Sequence, residues 1–231
     1  MPMPGGWTLL MAWMRMPGQT WSGAAVSFLG MWTVMMVAMM LPSLMPMLWR
    51  YRRALDRRGE TRLGRLTVLV GAAYFLVWTL FGMAVFPLGV VLAQLAMRLP
   101  AVSRAVPIAV GGVVLLAGAL QFTAWKTYRL ARCRETSGFS RGPECGRGLP
   151  AHAGTAWRYG LRLGLHCSCC CAGLTASLLV VGIMDLRAMA AVTAAISLER
   201  LAPAGARAER AVGVVAVGAG GLLLARAMGL G

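Results

Sequence analysis

The sequence predicts an all-α fold, a polytopic transmembrane helical bundle of about six transmembrane segments. Three observations predict it. Hydrophobic residues make up 58% of the 231-residue chain and charged residues 13%, against about 45–50% and about 25% in a soluble domain. The mean hydropathy is +0.69, so polar side chains are too few to form a water-facing shell. The apolar residues also fall in long continuous runs rather than in alternation, which fits helices and not a closed barrel. The same composition excludes a disordered chain, and six cysteines are too sparse for a disulfide-built secreted scaffold.

Residues 1–21 read as an interfacial segment. Pro2, Pro4 and Pro17 interrupt it, no basic stretch opens it as in a signal peptide, and Trp7, Trp13 and Trp21 suit a membrane surface. Residues 22–231 form one transmembrane domain. The first span, 22–48, is uncharged and holds Pro42 and Pro46. The second, 66–97, is long enough to tilt, with Pro87 as its kink. The third covers 106–125 and the fourth 163–184. The fifth, 188–198, is short, either a half-helix or a tilted span. The sixth, 211–224, is rich in Gly and Ala.

Charge orients these spans. The net charge is +16, and Arg supplies all but one of the 23 basic residues, the exception being Lys126. The basic segments 49–65, 126–162 and 199–210 alternate with weakly charged ones, which places them in the cytoplasm and both termini outside. The charge is thereby explained by orientation and anionic lipid. The expected partners are the lipid bilayer and other membrane protein subunits, with no nucleic acid.

The stretch most suggestive of chemistry is His166-Cys167-Ser168-Cys169-Cys170-Cys171. At about 100° per residue, His166, Cys169 and Cys170 share one helix face, and Cys167, Cys170 and Cys171 share another. Either trio offers soft donors within one turn, suited to Cu(I) or Zn(II). An intrahelical disulfide is disfavoured by geometry. The plainer reading takes cysteines as small apolar fillers. A second cluster is methionine: Met35 and Met39, and Met36 and Met40, stack at i, i+4 on the first span. Thioethers bind Cu(I) and bind zinc poorly, so they favour copper over zinc. Lys126, Met184, Asp185 and Glu199 stand near span ends, where carboxylates pair or line a polar path. Cys133 and Cys145, with His152 beyond them, match no zinc spacing. Gly160 and Gly164 form a GxxxG close-packing signal. No phosphate-loop, dinucleotide or hydrolase motif is present, and no catalytic residue is predicted.

Met31 to Ser43, Gln121 to Lys126 with Cys133-Arg134, Cys169-Cys170, Val181 to Leu186, and Leu198 to Pro203 follow one another in an order and spacing that resembles the DUF2182 family of predicted metal-binding integral membrane proteins. The resemblance covers about residues 7–224. It implies a bacterial or archaeal cell-membrane protein with a metal site, and it emphasises the Met stripe, Pro42, Lys126, Cys169, Cys170, Met184 and Glu199. Such proteins usually begin with one further transmembrane helix. They commonly carry Asn at the place of Asp185 and Glu-Lys at Glu199-Arg200, and they lack counterparts of Cys167 and Cys171. The expectation is a membrane protein that holds a soft metal, copper favoured. His166, Cys167, Cys169, Cys170 and Cys171 are the candidate ligands, with Met35, Met36, Met39 and Met40 completing or relaying the site. Lys126, Met184, Asp185 and Glu199 are candidate outer groups. Metal delivery, storage or support of a membrane oxidase would follow. The alternative is a metal-free structural or assembly subunit of a membrane complex.

Overall fold

The computed structural model describes residues 13, 18–57, 59–124, 126, 128, 152–182, 185–201 and 205–229. Most of the segment 1–21, most of 126–151, Cys133, Cys145 and Met184 lie outside the described residues. Among those described the chain forms α1 (Trp21–Asp56), α2 (Leu63–Arg98), α3 (Pro100–Leu120), α4 (Ala153–Val181), α5 (Leu186–Leu201) and α6 (Gly205–Ala227). All but α5 contain a stretch long and apolar enough to cross a membrane, which makes the chain an integral membrane helical bundle.

Local chemistry sets the ends. Thr20 caps α1 by accepting a hydrogen bond from the Gly23 amide at 3.1 Å. The helix then runs through Pro42 and Pro46 without ending. Each proline costs one backbone donor, a loss that neighbouring helices make tolerable in a membrane bundle. α3 starts earlier than the apolar run predicts because Pro100 occupies its first turn, where a missing amide proton does no harm. It ends at Leu120 in a series of tight turns through Thr123. α4 likewise starts at Ala153, well inside the segment expected as a basic loop. Its first turns carry Arg158 and Arg162 and are helical.

The α4–α5 connection fixes a register. Gly182 sits at φ +140°, a conformation that favours glycine, and Asp185 caps α5 by accepting from the amides of Arg187 and Ala188 at 2.8 and 3.3 Å. Fourteen residues lead from Cys167 up to Val181, and fourteen lead from Leu186 back to Arg200. At 1.5 Å per residue each leg is about 21 Å, so Arg200 returns to the level of Cys167. α5 has 16 residues, about 24 Å of helix against a hydrocarbon core of about 30 Å.

Two pairs of helices approach closely through glycine. On α4, a Cβ at Gly160 would lie 2.5 Å from the Val70 carbonyl oxygen, and one at Gly164 would lie 3.0 Å from that of Tyr74. On α3 and α6, Cβ atoms at Gly118 and Gly220 would meet the backbone of Val217 and Leu115 at 2.7 and 2.5 Å. Small residues that let backbones meet are how helices associate where lipid removes the hydrophobic drive. The outward faces carry Val34, Val68, Leu80, Leu88, Leu116 and Val215, as lipid contact requires. Inside, α1, α2, α4 and α5 enclose a core that includes Trp32, Met36, Met40, Tyr74, Cys167 and Leu178. A smaller cluster of Tyr51, Leu55, Leu66, Val70 and Ala156 packs the extensions of α1, α2 and α4 together.

Candidate metal centre

Helix periodicity turns Cys167 and Cys171 inward together, four residues apart on α4. Their sulfurs lie 3.9 Å apart, both buried. No disulfide links them, and all four cysteines of the cluster are free. Thiolate–metal bonds are about 2.3 Å long in zinc sites, so one soft ion can touch both sulfurs at this separation. The surroundings are sulfur-rich: Met35, Met36, Met39, Met40 and Met47 of α1 belong to the same buried cluster as Cys167, Cys170 and Cys171.

Polar groups converge on Cys167. The Tyr74 hydroxyl donates to its sulfur at 3.0 Å, and the Arg200 Nη1 donates to it at 3.3 Å. The same Nη1 donates to the Ser43 hydroxyl at 3.0 Å, and Ser43 donates onward to the Met40 carbonyl at 3.0 Å. α1, α2, α4 and α5 are thus tied at one point. Arg200 is only 6% exposed there, and a guanidinium carries its charge whatever its surroundings.

A second network stands beside the first. Lys126 forms an ion pair with Glu199 at 3.0 Å and donates to the Cys170 carbonyl at 2.6 Å. Gln121 donates to the other Glu199 oxygen at 2.9 Å. Lys126 and Glu199 are both buried. Such a pair is held by its mutual geometry, since either charge alone in a low-dielectric interior would be strongly unfavourable.

The sequence-derived candidates therefore separate. Cys167, Cys170, Cys171 and the four methionines meet in one core, and Lys126 and Glu199 join beside it. Cys169 is exposed, and His166 is half-buried with its Nδ1 2.7 Å from the Arg162 carbonyl oxygen. Asp185 is an exposed helix cap. Among the described residues no three His, Cys, Asp or Glu side chains converge to hold a metal, so further donors beside the Cys167/Cys171 pair would be the methionine thioethers of the same core. Sequence reasoning missed Tyr74 and Arg200. A tyrosine in the middle of an apolar run is a detectable signal, because its hydroxyl must find a partner inside the bundle. Arg200 gave none: beside Glu199 it looks like an ordinary helix-end charge, and only the α4–α5 register turns it toward sulfur.

No curated protein and no solved structure matches the chain. A family model described as PpoB2, copper chaperone, matches residues 29–223. The matched region starts within α1, ends within α6 and takes in both buried networks, so the chain belongs to the PpoB2 copper chaperone family.

Proposed function

We propose that this protein binds Cu(I) within the bilayer and passes it to another membrane protein. The ion would sit between Cys167 and Cys171, with thioethers from Met35, Met36, Met39 or Met40 as further donors. The observation that carries the reading is the buried sulfur pair, 3.9 Å apart, inside a methionine-rich core. The thiolate pair suits Cu(I) or Zn(II), the thioethers favour Cu(I), and the family match supports copper as the cargo. The resemblance to DUF2182 membrane proteins points the same way, toward a bacterial or archaeal cell membrane with the basic loops in the cytoplasm. Cys170 lines the same core, while His166 and Cys169 stand outside this ligand set. Storage of copper, or support of a membrane oxidase, uses the same site with a different recipient.

A second reading has its own observation. Three cysteines are packed as apolar core, and no group of three His, Cys, Asp or Glu residues assembles among the described residues. In that reading the chain is a metal-free assembly subunit and the cysteines are filler. One titration separates the two. The full chain in detergent, reduced and anaerobic, is titrated with Cu(I) against a chromogenic chelator. The copper reading expects about one tightly held ion per chain, weakened at least about tenfold by Cys167→Ser or Cys171→Ser. Copper stoichiometry near zero, or binding indifferent to both substitutions, would leave the assembly reading standing.

A further inference from the structure

We propose that Arg200 sets the valence of the ion that the sulfur pair accepts, favouring a soft monovalent cation over a soft divalent one. This inference rests on the Cys167/Cys171 reading above. Cysteines bind metals as thiolates, releasing their protons to solvent. Two thiolates with a monovalent ion leave one net negative charge at the pair. The same two thiolates with a divalent ion leave none. The Arg200 guanidinium lies 3.3 Å from the Cys167 sulfur, so it attracts the negatively charged first assembly more strongly than the neutral second. The interaction acts in a buried place where charges are weakly screened.

The other charges in the same wall do not reverse this difference. Lys126 and Glu199 are ion-paired at 3.0 Å and together add no net charge. Arg200 is held in place, not merely near: its Nη1 is shared between the Cys167 sulfur and the Ser43 hydroxyl. The Tyr74 hydroxyl also donates to Cys167, but it is neutral and stabilises either assembly's thiolate. Charge discrimination therefore falls to Arg200. The methionine thioethers carry no charge and favour the softer ion in wild type and Arg200 variants alike, so the change on neutralising Arg200 isolates its charge.

Ag(I) and Cd(II) make the test, because both are thiophilic and neither changes oxidation state during the measurement. Their affinities for the full chain in detergent are measured in competition with thiol chelators, for the wild type and for Arg200→Gln, Arg200→Met and Arg200→Lys. The expected result is that either neutral variant shifts the Ag(I):Cd(II) affinity ratio toward Cd(II) by at least about tenfold, while Arg200→Lys keeps most of the wild-type ratio. A ratio unchanged in the neutral variants overturns the role of Arg200 while leaving the sulfur site intact. Failure of the wild type to bind either ion removes the site itself, and the inference with it.

Discussion

At the scale of single residues, the chain places its scarcest groups where they cost most. Lys126 is the only lysine, and Glu199 is one of only seven acidic residues. Burying both is tolerable because each answers the other, with Gln121 donating to Glu199 and the Cys170 carbonyl accepting from Lys126. Lys126→Met should therefore destabilise the folded protein by about 3–5 kcal/mol, the cost of a buried charge left alone. Adding Glu199→Gln to that variant should recover a large part. Denaturant unfolding of the single and double variants in detergent checks this, and a double variant no more stable than the single one would show the pairing to be unimportant. The sequence already offered Lys126 and Glu199 as candidates, since ionisable groups near membrane depth must pair. It could not offer Arg200 or divide the five-residue cysteine cluster. Those outcomes depend on which side of α4 faces the core, and four cysteines with one histidine cover most of the helix circumference.

At the scale of helices, the apolar runs revealed the elements, and the helices run beyond them. α1 and α4 extend past their lipid-facing stretches into Arg-bearing turns. Hydropathy measures what lies in lipid, whereas a helix continues until a cap or a glycine stops it. The glycine spacing at Gly160 and Gly164 was legible as a motif, and its partner was not. In the fold it seats α4 against the α2 backbone at Val70 and Tyr74, and that seating lets the Tyr74 hydroxyl reach Cys167. Gly164→Leu should force the pair apart, cost about 1–3 kcal/mol and weaken Cu(I) binding as Tyr74 withdraws. A Cβ at Gly112 would meet nothing within 4 Å, and Gly112→Leu should leave both stability and binding near wild type. Unfolding midpoints and Cu(I) titrations on the two variants test the contrast, and equal behaviour would remove the close approach as an explanation.

At the scale of the whole molecule, α5 decides the topology. Its length falls short of a full span, yet Glu199 reaches Lys126, beyond the end of α3, and Arg200 reaches Ser43 on α1. α5 must therefore return from the Asp185 turn to the level of the buried networks. The expected arrangement sets the 57–62 connection and the Gly182 turn on opposite sides of the membrane. Epitopes inserted after Gly59 and after Gly182 should be accessible from opposite faces in intact cells, the Gly182 epitope from outside. Access to both from one face would contradict the alternation of basic segments. The contact between Ser43 and Arg200 joins positions 157 residues apart. At about 5–20 residues per second of synthesis, Ser43 is made about 8–30 s before Arg200. Cys167 stands only 33 residues before Arg200, so it is made about 2–7 s earlier. The sulfur pair is therefore completed in the growing chain shortly before the guanidinium that closes over it, and α1 must wait for the return of α5 before its Ser43 receives the Arg200 hydrogen bond.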